Sequence, residues 1–325
     1  MPKAMRVYEN GEASVMNWED VDPDSPQNGE VLVRHTAVGL NFIDVYFRAG
    51  VYPAPEFPFT PGLEGAGVVE ATGSDVTDLS VGDRVAYASP PLGAYAEVRC
   101  MPADRVVKIP DDIDDETAAA MMLKGLTAQY LLRQVYKVQS GDTILFHAAA
   151  GGVGLIACQW AKHLGATVIG TVSTEEKAEK AAAHGCDFPI LYTKENFVQR
   201  VQEITDGKGV PVVYDSVGLT TFEGSLDCLR PKGVLVSFGQ SSGEIESFNP
   251  VLLRVKGSLF LTRPTLMTYT AEREDLVSMT EELISVITSG AVKISINQRY
   301  ALSDAVQAHT DLESRKTQGA TVLQV

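Results

Sequence analysis

Apolar and polar positions follow two regimes along the chain. Through the first third, short apolar runs at 30–38, 65–70, 84–88 and 94–99 are separated by Pro, Gly and Asp clusters and read as strands. One helical stretch interrupts them over 41–49, with Gly50 as its stop. Ala, Met and Leu then recur at helical spacing over 115–135. From Gly141 the pattern alternates, with strands at 144–149, 167–172, 189–191, 212–215, 234–238 and 258–262. Helices are expected between them at 153–164, up to Ala183, at 197–205 and at 220–229. Ser173 followed by Glu176 has capping-box spacing and is expected to open the helix that stops before Gly185. Six strands alternating with helices predict a doubly wound parallel sheet. After Pro264 a helix at 272–289, a strand at 297–300, a helix at 303–312 and a strand at 321–325 remain. The sheet is complete without them, so this tail is expected to pack back on the β-rich N-terminal part. The fold class is therefore α/β, a Rossmann sheet plus a β-rich domain.

Composition narrows the function classes. A length of 325 residues suggests two domains, and 45% hydrophobic with 21% charged residues is globular composition. Lys and Arg number 27 against 42 Asp and Glu, a formal charge of −15. Such a surface repels phosphate backbones and anionic membranes, and no basic run offsets it, so nucleic-acid binding is excluded as the main role. The uncharged stretch 143–161 approaches membrane-spanning length, but Gly151-Gly152-Val153-Gly154 divides it into a buried strand, a turn and a buried helix. That division points to a soluble chain, and residues 1–16 hold no signal-peptide core, so secretion by that route is not indicated. Cys100, Cys158, Cys186 and Cys228 are scattered, without a CxxC pair, and the five histidines show no HExxH spacing. Reduced cytoplasmic thiols fit better than a disulfide framework or a cysteine-rich zinc site.

The chemistry concentrates at the glycine turn. Gly151, Gly152, Val153 and Gly154 lie between a predicted strand and helix, where backbone approaches a pyrophosphate and the helix N-terminus faces its charge. Ala149 stands at the first glycine position of GxGxxG. The same turn occurs in α/β proteins generally, and it is the six-strand array around it that favours a dinucleotide. An NAD-selective domain places Asp or Glu after the second strand, yet here that strand ends Gly170-Thr171-Val172-Ser173-Thr174. Ser173 and Thr174 can bond a 2′-phosphate and Lys177 follows one helical turn on, which points toward NADPH; Glu175 and Glu176 oppose it, and a solvated Lys177 that offsets them is the other reading. Phe238 and Gly239 end a predicted strand, with Ser241 just beyond, at the edge where doubly wound sheets bind ligands. His147, on the first strand, reads as a hydrogen-bonded core histidine.

Gly141-Asp142, Leu145, Ala149-Ala150-Gly151-Gly152, Gly154, Gln159 and Lys162 resemble the signature of the zinc-free quinone oxidoreductases, the zeta-crystallin-like group of the medium-chain dehydrogenase/reductase superfamily. Asn41-Phe42-Ile43-Asp44, Arg48, Gly50, Tyr52-Pro53, Pro61-Gly62, Glu64-Gly65, Gly82-Asp83-Arg84-Val85 and Lys124-Gly125-Leu126-Thr127-Ala128 look like the same group. So do Tyr214-Asp215-Ser216-Val217-Gly218 and Thr262-Arg263-Pro264. The resemblance implies a discontinuous GroES-like catalytic domain, 1–124 with 265–325, around a Rossmann NADPH-binding domain, 125–264, with the nicotinamide in the cleft between them. It implies that Asn41, Tyr46, Tyr52 and Thr127 lie near nicotinamide and substrate. Thr262, Arg263, Tyr192 and Arg315 are implied as further cofactor contacts, and a homodimer through the edge strand from Ser258 to Thr262. Where zinc enzymes of the superfamily place Cys and His, this chain has Asn41 and Leu63, which cannot hold Zn²⁺. Metal-free hydride transfer from NADPH to a quinone or similar conjugated carbonyl is the activity this implies. Reduction of activated C=C bonds uses the same chemistry and stays open, as does a non-enzymatic, crystallin-like NADPH-binding role. A serine hydrolase is a minor rival, since Gly239-Gln240-Ser241-Ser242-Gly243 matches GxSxG and Asp275 and His309 follow in order.

Overall fold

The computed structural model describes residues 1–53 and 56–325. The chain divides into two compact units. The first contains Met1–Leu126, Thr270–Glu281 and Ile294–Val325; the second contains Thr127–Tyr269 and Glu282–Lys293.

The second unit is built on a six-stranded sheet. In spatial order its strands are Phe188–Leu191, Thr167–Val172, Thr143–Phe146, Val210–Asp215, Leu229–Ser237 and Phe260–Thr262. Every neighbouring pair is parallel. Taken in chain order this is 3-2-1-4-5-6, the doubly wound arrangement, whose order reverses between Thr143–Phe146 and Val210–Asp215. Every residue of Val210–Asp215 is buried, as expected when both faces of a parallel sheet are covered. Leu145, Ile169, Val213 and Leu235 come from four adjacent strands and share one apolar core.

The first unit is mainly antiparallel. The long strand Glu30–Leu40 pairs with Glu64–Thr72, Val98–Pro102 and Ala320–Gln324. The chain's last strand thus completes a sheet begun by its first third, and Ile296–Ala301 adds to it in parallel. The helix Phe42–Ala49 follows directly from Glu30–Leu40. Its N-cap Asn41 donates its backbone N–H to Asp44 Oδ2 at 2.9 Å, and Gly50 closes it at φ 79°.

Several sequence expectations need correction. The strand expected at 94–99 lies at Val98–Pro102, because Ala94 and Tyr95 spend their N–H groups on the carbonyls of Gly62 and Pro61. The first parallel strand stops at Phe146, so His147 and Ala149 lie in the turn beyond it. The helix Glu175–Ala183 is capped by Thr174, whose side chain accepts from Lys177 N, and not by Ser173. The strand expected over 234–238 runs Leu229–Ser237, leaving Phe238 in the loop, and the edge strand is only Phe260–Thr262. Ser258 is excluded from it by φ 56° and by a bond from its N–H to Arg254 O, which makes it the end of the preceding helical turn. The stretch 143–161 is a strand, a turn and the start of the helix Gly152–His163. Among the described residues no helix is long and apolar enough to cross a membrane.

Candidate functional site

In the second unit the glycine turn opens Gly152–His163 at the carboxyl end of Thr143–Phe146, beside the point where strand order reverses. Gly151 is the N-cap and donates to Ala148 O at 2.9 Å. Gly154 is required by packing: a Cβ there would sit 2.7 Å from Ala149 O and nearer still to Ala148 O. The helix therefore starts hard against the strand end, with its first N–H groups directed outward, a geometry that fits a pyrophosphate.

The other residues singled out in this unit stand at the same end of the sheet. Ser173 and Lys177 follow Thr167–Val172, and Tyr192 follows Phe188–Leu191, its N–H on Val172 O at 3.2 Å. No acid occupies 170–174, and Glu175 is paired with Lys194. Phe238, Gly239 and Ser241 form the loop after Leu229–Ser237. Thr262 ends the edge strand, and Arg263 donates to Ser237 O at 3.0 Å and Gln240 Oε1 at 3.3 Å, tying the edge to that loop. Thr127 is buried in a long helix, Asp115–Tyr130.

In the first unit Asn41 is buried, and its amide Nδ2 donates to Glu64 Oε2 at 2.7 Å. Glu64 is wholly buried and also accepts from Leu123 N at 2.8 Å and Lys124 Nζ at 3.2 Å. A side chain at Gly39 would collide with that carboxylate and with Ala119 O, so Gly39 makes the room for it. Tyr46 and Tyr52 are brought together with ring centroids 5.2 Å apart, and Phe42 and Phe47 pack edge-on against them. Part of the loop over 50–57 that they border, Ala54 and Pro55, lies outside the described residues. Arg315 is in this unit, at φ 58° just after the helix Ala305–Glu313.

Glu64, Asp44 and Lys124 stand in the family-like motifs of the sequence, and it is the fold that gives them buried partners. A second buried group extends from Asp44, whose Oδ2 accepts from Tyr95 Oη at 3.0 Å, while Tyr95 Oη meets His309 Nε2 at 2.9 Å. Burial raises the Asp44 pKa to about 7, against the opposing hydrogen bonds from Asn41 and Tyr95, and lowers that of His309 to about 3. The signal available in the sequence was acids set among Gly, Ala, Leu and Val, where an unpaired charge is costly.

Two expectations are resolved by these placements. His147 is fully buried, between Thr171 and Ser225. The hydrolase reading lacks its elbow: Ser241 lies in a turn, and no helix starts until Val251–Val255. His309 is engaged with Tyr95 and buried.

Residues 27–111 match the alcohol dehydrogenase GroES-like domain and residues 152–283 the zinc-binding dehydrogenase family. Neither Asn41 nor Leu63 carries a thiolate or an imidazole, and among the described residues no group of three or more His, Cys, Asp or Glu that could hold a metal ion comes together. The chain is 55% identical to a quinone oxidoreductase of Pseudomonas aeruginosa, covering 99% of both. It is 47% identical to a 2-haloacrylate reductase of a Burkholderia species, again over 99% of both. A crystal structure of Escherichia coli quinone oxidoreductase complexed with NADPH superposes with TM-score 0.98 at 48% identity, covering 99% of this chain and 100% of that one. With its doubly wound sheet, its glycine turn and these full-length likenesses, the chain belongs to the quinone oxidoreductase family of the medium-chain dehydrogenase/reductase superfamily.

Proposed function

We propose that this chain is an NADPH-dependent quinone oxidoreductase. The observation that carries this is the full-length likeness, at TM-score 0.98, to an enzyme crystallised with NADPH. Bound NADPH supplies a hydride; with one proton it reduces a quinone to the hydroquinone and leaves NADP⁺. A conjugated, electron-poor carbonyl accepts hydride without a Lewis acid, which suits a chain that has Asn41 and Leu63 where zinc ligands would be needed.

In this reading residues 125–264 bind NADPH, and 1–124 with 265–325 carry the catalytic part. Gly151, Gly152, Val153 and Gly154 hold the pyrophosphate at the helix N-terminus. Ser173, Lys177, Tyr192 and Arg315 serve the 2′-phosphate and its surroundings; Phe238, Gly239, Ser241, Thr262 and Arg263 serve the rest of the cofactor. Asn41 and Thr127 orient the carboxamide or the acceptor oxygen. Tyr46 and Tyr52 offer faces for stacking a flat acceptor and hydroxyls for the developing quinol oxygen, with water as the other proton source. A panel of quinones with NADPH and NADH, followed by loss of reduced-nicotinamide absorbance, tests the proposal. Quinone turnover with NADPH, insensitive to chelators, is expected; binding of NADPH without oxidation by any quinone, enone or enal would replace it with a binding role.

The likeness to a 2-haloacrylate reductase favours one second reading, reduction of an activated C=C bond. Turnover of 2-haloacrylate or an enone exceeding that of every quinone would establish it. A cytoplasmic homodimer completes the proposal. Phe260–Thr262 is an edge strand with Phe260 62% exposed, and a bare apolar edge is a liability that pairing across a two-fold axis covers.

A further inference from the structure

His147 has a use that core packing alone does not account for. Its ring is wholly buried, edge-on to Phe197, and each nitrogen meets a hydroxyl. Nδ1 lies 2.9 Å from Thr171 Oγ1 and Nε2 3.0 Å from Ser225 Oγ. Ser225 Oγ is also 2.8 Å from Asp215 Oδ2. That carboxylate accepts from Val217 N, Gly218 N and Thr221 Oγ1 as well. A carboxylate acceptor cannot donate, so the single hydroxyl hydrogen of Ser225 goes to Asp215. Ser225 Oγ must then accept from His147 Nε2–H. Burial lowers the His147 pKa, keeping the ring neutral although Asp215 opposes this, so Nδ1 is bare and accepts the Thr171 hydroxyl hydrogen. Thr171 Oγ1 in turn accepts from Ala148 N at 3.4 Å.

The direction of every bond is thereby fixed: Ala148 N–H to Thr171, Thr171 to His147, His147 to Ser225, Ser225 to Asp215. Both ends of the chain sit under cofactor-facing loops. Ala148 is a non-glycine residue at φ 54°, and its carbonyl is what the start of Gly152–His163 packs on. Asp215 orders 216–218, on which the 238–242 loop is seated through Ser241 N to Ser216 O and Ser242 Oγ to Val217 O.

We infer that the chain Thr171–His147–Ser225–Asp215 is a positioning network, its His147 held as the Nε2–H tautomer, that sets the glycine turn and the 238–242 loop for the part of the dinucleotide shared by NADPH and NADH. This rests on the dinucleotide-binding reading above. It differs from recognition of the 2′-phosphate, because disturbing it weakens both cofactors alike.

The test uses the purified full chain. Long-range ¹H–¹⁵N spectra of histidine-labelled protein read the tautomer, and fluorescence titration reads affinity for each cofactor. The expected results are an Nε2–H ring for His147 and, for Thr171→Val, affinity for NADPH and NADH lowered by the same factor of about ten, the worth of one buried hydrogen bond. Thr171→Ser, which keeps the hydroxyl, should bind both within about twofold of wild type on the same scale. An Nδ1–H or doubly protonated ring, or a folded Thr171→Val with unchanged affinities, overturns the inference. Should Thr171→Val not fold, the tautomer and the Thr171→Ser affinities decide. Wild-type protein that binds neither nucleotide refutes the functional reading instead, while the tautomer still reports on the chain of bonds.

Discussion

Gly154→Ala is the substitution whose cost follows most directly from the geometry. The new Cβ would stand 2.7 Å from Ala149 O and 2.8 Å from Ala149 C, with Ala148 O nearer still. These atoms are backbone of a turn held from below by Thr171, so no flexible side chain can yield. Ordinary contact between such atoms needs about 3.2 Å or more, and the nearest atom, Ala148 O, sets the distance, so the helix start must retreat by more than about half an ångström. Overpacking of this kind costs about 1–3 kcal/mol of stability. The same retreat stretches hydrogen bonds from the helix N–H groups to a pyrophosphate from about 2.9 Å to about 3.4 Å or more, past the useful range of about 2.7–3.2 Å. Losing one charge-assisted bond is worth about 1.5–3 kcal/mol, or about ten- to a hundred-fold in affinity. Fluorescence titration should show that loss equally for NADPH and NADH, alongside a lowered unfolding midpoint. Gly151→Ala provides the graded comparison: its Cβ meets only Ala148 O, at 3.1 Å, so its effect should be clearly smaller. A folded Gly154→Ala protein that binds NADPH as wild type does would refute the packing argument and the place given to the turn.

Lys177→Ala should raise the Michaelis constant for NADPH about tenfold or more, the value of one charge-assisted contact, and leave that for NADH nearly unchanged; equal effects would remove Lys177 from phosphate recognition. Asp44, whose pKa burial raises to about 7, keeps its proton in the folded protein between pH 3.8 and about 7 while the unfolded chain has released it. Its contribution is therefore complete below 3.8 and lost as pH rises through 7, by up to about 4 kcal/mol; in denaturant unfolding at pH 4 and pH 8, Asp44→Asn should gain on wild type by that order, and parallel pH profiles would contradict this. Phe260→Glu should shift the light-scattering mass toward one 35.0 kDa chain, whereas a wild-type mass already at that value refutes the dimer.

The Rossmann sheet was legible because most of its strands carry a short apolar run closed by Gly or a polar cap; Leu229–Ser237 shows one only from Gly233 on, since Arg230, Pro231 and Lys232 hide its first half. Thr167–Val172 has the same limits in sequence and structure. The misplaced boundaries share a cause, which is that hydropathy continues where hydrogen bonding stops. Ala148 and Ala149 are as apolar as the strand before them, yet Ala148 turns to φ 54° and carries the backbone into the glycine turn. Ala94 and Tyr95 are wholly buried without being strand, because their partners are the carbonyls of a loop, 61–62, thirty-odd residues away. Ser258–Thr262 lost its first residues to a helical turn that only a backbone angle reveals.

Site residues divide in the same way, according to whether their partners are near in sequence. The glycine turn and the absence of an acid at 170–174 are local patterns and could be read directly. The polar networks could not. His147 meets Thr171 at a separation of 24 residues and Ser225 at 78, and Asn41 meets Glu64 at 23. A parallel sheet makes such meetings systematic: residues one past the ends of neighbouring strands come level whatever the length of the helices between them. His147 and Asp215 sit at adjacent strand ends, so a polar residue there is either bonded across the sheet or left unpaired in a dry layer at a cost of about 1–3 kcal/mol. That cost is the reason a buried histidine at a strand end, read from sequence as core, carries information about the loops it joins. Bonded through one nitrogen to Thr171 of the second strand and through the other to Ser225 of the helix Phe222–Asp227, which in turn bonds Asp215, it couples the glycine turn to the loop 216–218 after the fourth strand, so the rim at this end of the sheet holds its shape as one piece.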